Sequence, residues 1–293
     1  MDIAITNNTN LNPKKQKGSA IGTIAALGAT QAGAVACLPI SIVGLNGMTS
    51  SSKNLSKLEK KEIMNAVNKI LDTKGLSVKG VKLNNLDSAI NPTSIPDKIF
   101  ELINPLYATS NGKNAFYGGI NGARSILGER LFKNEVVCNM DKLPTAIFHE
   151  LGHAFNANNS QVWRVIQKMR TPALIISAGL GIFCAITKKA VPSEKNDGKL
   201  TKLQKAKNFI RNNSGKLAVL SMVPVLAEEA MATIRGNGWA KEFLSSNVAK
   251  QVCKGNKFAY LSYLASAAGL GLGAYAATKI KDYFVDKKNS KNC

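Results

Sequence analysis

The chain has 293 residues, is 45% apolar and 19% charged, and carries 39 Lys plus Arg against 18 Asp plus Glu, a formal charge of +21. That composition excludes a collagen, a coiled-coil rod, a disulfide scaffold and wholesale disorder, and the length allows a sizeable core. The excess positive charge points to an anionic membrane surface or to nucleic acid, and long uncharged stretches favour the membrane.

Residues 1–18 are polar, Asn-rich and end in Lys14, Lys15 and Lys17, which predicts a disordered basic tail. Residues 18–52 hold no Asp, Glu, Lys or Arg. Within them 19–47 is a candidate transmembrane helix, since a span needs roughly 20 mainly apolar residues, and Pro39 is expected to kink or end it. Residues 48–170 read as a soluble helical region. Ser56 and Glu59 form a capping box, Ile63, Val67, Ile70 and Leu71 recur at helical spacing, and Gly75 closes that helix. Residues 76–96 read as turns with short apolar groups, and 95–106 as a second helix. The spans 114–117 and 135–139 read as short strands. Asp141 is the expected N-cap of the next helix, with Pro144 in its first turn.

Beyond Arg170 the chain turns apolar again. Residues 171–187 are uncharged, and 217–227 run into Glu228 and Glu229. An antiparallel apolar hairpin over 171–231 would bring the chain back to the face that it left. Residues 188–216 between its arms read as a basic polar loop facing anionic lipid. After a polar connection over 232–257, residues 258–279 form a second candidate transmembrane helix. Its Ala265, Gly269 and Gly273 recur at a spacing that lets helices approach closely in lipid. Residues 280–293 read as a basic tail. Cys37, Cys138, Cys184, Cys253 and Cys293 are odd in number and show no C-x-x-C spacing, which argues against a disulfide framework or a Cys-type zinc site. The fold class expected is mainly α with a small β region.

The chemistry lies in His149-Glu150-Leu151-Gly152-His153. It is an H-E-x-x-H motif that uses both histidines of the chain. On a helix, positions i and i+4 share a face, so two imidazoles there can hold one zinc ion. Glu150 beside them can take the proton of a water activated by the metal. A catalytic zinc keeps three protein ligands. With no third histidine the remaining ligand must be a carboxylate or a cysteine, and Glu228-Glu229 is the best candidate. Ala232 and Thr233 follow Glu229 at +3 and +4, a small residue for close packing and a hydroxyl for one imidazole, which favours Glu229 as the ligand. Glu228 is then a neighbour that adds negative charge or meets a basic side chain such as Arg235.

Asn114-Ala115-Phe116 with Gly118-Gly119, a Val-Val strand, H-E-L-G-H, an apolar hairpin and E-x-x-A-T together resemble membrane zinc metalloproteases of the HtpX and CAAX-prenyl-protease type. YugP-like membrane proteases are a near alternative. The resemblance covers roughly 112–235 and implies a zincin-like helical core with membrane-associated helices. It implies His149, His153 and Glu229 as ligands of a single Zn2+, Glu150 as the catalytic base, and Asn114, Ala115 and Phe116 as an edge strand that binds substrate. Thr233 stands where HtpX-type proteins carry Asp. The expectation is a zinc endopeptidase of the gluzincin kind in a multi-pass protein of a bacterial inner membrane. Its partners would be a peptide or protein substrate and anionic lipid; nucleic acid is not expected. The rival readings are a soluble zinc peptidase with buried apolar helices and a non-enzymatic basic membrane-associated protein with a degenerate site.

Overall fold

The computed structural model describes residues 20–86, 105–124, 130–192 and 198–290. The tail expected over 1–18, most of the helix expected over 95–106, Cys293 and the side chain of Cys37 lie outside the described residues. The chain divides into two compact units. Val35–Ile176 and Val219–Gly269 form the first, and Met1–Ala34, Ser177–Ala218 and Leu270–Cys293 form the second.

In the first unit, Ser56 caps the helix Lys57–Thr73 by the expected reciprocal bonds with Glu59. The helix turns Ile63, Ala66, Val67 and Ile70 inward, and Gly75 leaves it in the left-handed region at φ 66°. A three-stranded sheet follows, in the order β1 (Lys82–Asn85), β5 (Glu135–Cys138), β2 (Phe116–Tyr117). β5 runs parallel to β1 and antiparallel to β2, with Phe116 opposite Val137. β1 lies where turns are expected: Lys-Leu-Asn-Asn has no apolar alternation, and its pairing comes from the apolar β5 beside it. Ala123–Arg124 and Arg130–Leu131 make a separate two-stranded pair, β3 and β4.

Behind the sheet runs the helix Ile147–Asn159, which carries the H-E-x-x-H motif and packs on β5, on β2 and, most extensively, on the helix Val223–Phe243. Asp141 is not its cap. Asn139 accepts from the amides of Asp141 and Lys142, and Pro144 opens a single 3-10 turn, Pro144–Ala146, that leads directly into the helix. Thr145 in that turn is buried and bonded to Ser52 Oγ at 2.6 Å. The core gathers Ile63, Val67 and Ile70 with Val136, Phe148 and Leu151.

In the second unit, Ser177 Oγ donates to the Ala218 carbonyl, and Arg211 donates to those of Cys184 and Thr187. The first contact joins the two apolar stretches, and the second ties the helix that carries Arg211 to the end of Arg170–Ile186. The supposed loop over 188–216 is helical in its second half. Thr201 and Gln204 form a capping box at the start of the helix Lys202–Asn212; the density of lysines masks this signal in the sequence. Arg211 is 1% exposed and also meets Asp282 Oδ1 at 2.5 Å.

The long helices depart from the expected bounds. The first runs Ala20–Lys53 and does not end at Pro39. Residues 232–257 are nearly all helical, within Val223–Phe243 and Ser246–Ser290. The latter helix absorbs 258–279 and most of the expected basic tail. Among the described residues two helical stretches are long and apolar enough to cross a membrane, Gln161–Ile186 with 26 residues and Ser214–Phe243 with 30. The 258–279 stretch is not one of them: its Ala, Gly, Ser and Tyr carry little transfer free energy.

Candidate metal centre

His149 and His153 sit one turn apart on their helix, 3% exposed each, with ring centroids 4.5 Å apart and planes at 87°. Their Nε2 atoms are 2.9 Å apart. Glu229, fully buried, places Oε2 at 2.9 Å from His149 Nε2 and 3.4 Å from His153 Nε2. Three donor atoms therefore converge on one point. Ligand atoms around a tetrahedral metal at 2.0–2.1 Å stand about 3.3 Å apart, and the three separations bracket that value.

The neighbours turn the rings the right way. Glu228 Oε1 accepts from His153 Nδ1 at 2.6 Å, and Thr233 Oγ1 stands 3.2 Å from His149 Nδ1. With Nδ1 of each ring engaged by these neighbours, both Nε2 atoms and the Glu229 oxygen make a donor set that a cation between them would complete. Arg170 reaches in from the adjoining helix Arg170–Ile186, bonding Glu228 Oε2 at 3.0 Å and also Glu229 Oε1. Gln167 Nε2 donates to Glu228 Oε1 at 3.2 Å. The two carboxylates outnumber the one fixed cation. That excess raises the His153 pKa well above its usual value, although burial opposes the charge.

Close backbone packing sets this geometry. A Cβ on Gly152 would lie 2.5 Å from the Ala232 carbonyl oxygen, and one on Gly236 would lie 2.7 Å from that of Phe148. The two helices touch main chain to main chain, which brings Glu229 within reach of short imidazole side chains.

Glu150 is 8% exposed. Burial raises its carboxyl pKa above the usual range, against the pull of His153 and His149. With His149 it lines a pocket of about 70 Å³, together with Asn114, Ala115, Asn256 and Tyr263. A water occupies about 30 Å³ of liquid, so the pocket has room for a water and a small reacting group. Of the expected edge-strand residues, Asn114 and Ala115 line the pocket, and Phe116 instead pairs edge-on with Phe132 at 5.6 Å. Glu228 meets Arg170 and His153 rather than Arg235, whose guanidinium lies over the Phe155 ring at 4.5 Å. Arg170 and Gln167 are not singled out by the sequence, although a lone arginine at the head of an apolar stretch is a signal for a charge with a buried partner.

His149, His153 and Glu229 thus form a buried group able to hold a metal ion. The chain matches no protein-family model, no curated protein and no solved structure. The resemblance to HtpX-type and CAAX-prenyl proteases rests on the quoted residues alone.

Proposed function

We propose that this chain is a membrane-embedded zinc endopeptidase. The observation that carries the reading is the convergence of His149 Nε2, His153 Nε2 and Glu229 Oε2 beside a pocket that Glu150 lines. Zinc held there would supply a Lewis acid that lowers the pKa of water and polarises a peptide carbonyl. Glu150 takes the water proton on its carboxylate and passes it to the leaving amine; burial raises its pKa, which strengthens it as a proton acceptor. Glu228 and Thr233 fix the imidazoles, and Arg170 holds Glu229 Oε1 while Oε2 lies beside the two Nε2 atoms, where it would help to hold zinc. Among the described residues β2 is an outer strand of its sheet, and an extended substrate could add to such a strand by main-chain hydrogen bonds.

Membrane embedding is supported by exposed apolar side chains on the two long apolar stretches. Leu174, Ile175, Ile176, Ile182 and Ile186 are all exposed on Arg170–Ile186, as are Leu220, Val223 and Ile234 on the other. Apolar surface of that extent suits lipid better than water. Lysines near the headgroups would then meet anionic lipid.

The test compares wild type with Glu150→Gln. Zinc-loaded wild type cleaves members of a peptide library, and Glu150→Gln retains zinc and loses cleavage. Wild-type turnover by Glu150→Gln removes Glu150 as the base. Retention in carbonate-washed membranes supports embedding, and release into the supernatant favours the soluble peptidase.

A further inference from the structure

The pocket that Glu150 lines has a wall from the far end of the chain. Asn256, Ala259 and Tyr263 of the helix Ser246–Ser290 line it together with His149 and Glu150. They fall at i, i+3 and i+7, which share one face of a helix. That helix packs closely on Ala20–Lys53: a Cβ on Gly44 would lie 2.8 Å from the Phe258 carbonyl oxygen and 3.2 Å from Ser262 Cβ. The wall is therefore set by backbone contact rather than by flexible side chains. Tyr263 lies outside the 112–235 stretch that resembles known proteases, and no role for it follows from that likeness.

Two polar side chains of this wall are committed elsewhere. Ser262 Oγ donates to the Ala259 carbonyl at 2.6 Å, and Asn256 Nδ2 donates to Asn237 Oδ1 at 2.9 Å. The Tyr263 hydroxyl is placed differently. Burial and the charges of Glu229 and Glu150 push its pKa up, so the phenol stays protonated beside both carboxylates. Arg170, which forks to Glu228 and Glu229, has its guanidinium carbon 5.9 Å from the Tyr263 ring centroid and donates to the phenol oxygen. A guanidinium has donors only, so the phenol keeps its own proton for an acceptor, and the bond from Arg170 polarises that O–H. In the peptidase reading the carbonyl of the bond to be cleaved enters this pocket, because Glu150 has to deliver water to its carbon. A neutral O–H in the same pocket can meet the negative charge that gathers on the carbonyl oxygen when water adds.

We propose that Tyr263 is a catalytic residue, whose phenol donates a hydrogen bond to the carbonyl oxygen of the peptide bond under attack. This inference rests on the peptidase reading above, and its test reads binding as well as turnover. Zinc-loaded wild type and Tyr263→Phe are compared on the best-cleaved member of a peptide library. Tyr263→Phe lowers kcat about a hundredfold, the usual cost of losing one such donor, while KM stays within about twofold because the bond strengthens only as charge develops. Zinc per chain and the thermal midpoint stay at wild-type values. The second readout is calorimetric binding of acetohydroxamate, a small zinc-binding group whose carbonyl oxygen takes the place of the peptide's. Tyr263→Phe binds it roughly tenfold more weakly, as expected for one lost hydrogen bond to a charged acceptor. Should Tyr263→Phe misfold, judged by lost zinc or early unfolding, 3-fluorotyrosine placed at position 263 keeps the shape and strengthens the donor. It then binds acetohydroxamate about twofold tighter than wild type, and unchanged binding overturns the proposal. A folded Tyr263→Phe with wild-type kcat, with its loss in KM alone, or with unchanged acetohydroxamate binding overturns it as well. If wild type cleaves no peptide while acetohydroxamate binding depends on the Tyr263 hydroxyl, the peptidase reading fails and the donor role of Tyr263 toward a bound carbonyl stands.

Discussion

Glu228 and Glu229 are consecutive in the chain yet reach opposite sides of the same imidazole, Glu228 to His153 Nδ1 and Glu229 to His153 Nε2. A helix turns by about 100° per residue, and the His153 ring fills the gap between the two side chains. One carboxylate is thereby placed with the donor atoms and the other behind the ring. Glu229→Ala is expected to abolish metal binding, and Glu228→Gln to weaken it about 10- to 100-fold, the usual cost of losing a partner that orients a ligand. Competition with a chromogenic chelator measures both. Equal losses, or the larger loss for Glu228, would reverse the roles.

Gly152→Ala places a methyl 2.5 Å from the Ala232 carbonyl oxygen. A helix backbone cannot step aside as a flexible side chain can, so the two helices must separate. The expected cost is about 1–3 kcal/mol from overpacking, with weakened metal binding because Glu229 recedes. Gly236→Ala on the facing helix meets the Phe148 carbonyl at 2.7 Å and acts in the same direction. Thermal unfolding in detergent reads the stability loss, and an unchanged midpoint for both variants would show that the helices have slack.

Arg170 spans both carboxylates with the two ends of its guanidinium. Arg170→Met leaves two buried acids with no fixed cation and is expected to destabilise the unit by about 3 kcal/mol. Arg170→Lys restores little, because a single ammonium cannot fork to two acceptors. Unfolding midpoints of the metal-free proteins measure this, and an Arg170→Lys variant as stable as wild type would show that charge alone suffices.

The Cys138 thiol is fully buried, and burial pushes its pKa up to about 12. The folded state therefore favours the neutral thiol, and the stability so conferred falls as pH rises from about 9 toward about 12. Iodoacetamide at pH 8 is expected to leave Cys138 unmodified in folded protein and to modify it after denaturation. Cys253 is partly exposed and is expected to label faster than Cys138 in the folded protein. Peptide mass mapping reads the result, and rapid labelling of native Cys138 would mean that β5 opens readily.

What the sequence reveals follows the strength of local signals. The Ser56 and Glu59 box, the periodicity of Ile63, Val67 and Ile70, and the H-E-x-x-H spacing act within one or two turns, and the structure has each where the residues place it. β1 is invisible because Lys82–Asn85 has no pattern of its own and depends on β5, some fifty residues away. Asp141 looks like a cap, but Pro144 has no amide to offer it, Asn139 accepts from the amides of Asp141 and Lys142, and the helix begins only after the turn Pro144–Ala146. The roles of Arg170 and Gln167 depend on how one helix docks against another, which no local spacing encodes. Thr233 lies between these cases: its offset from Glu229 makes it available, and the close packing at Gly152 brings it to His149.

The central claim is that His149, His153 and Glu229 hold one metal ion, and metal analysis of the purified chain tests it most directly. Elemental mass spectrometry on protein prepared without chelators, beside His153→Ala prepared in parallel, counts bound metal per chain. The account predicts one zinc per chain in wild type and none in His153→Ala. A wild type that stays metal-free after incubation with zinc, or a His153→Ala variant with full occupancy, would contradict it.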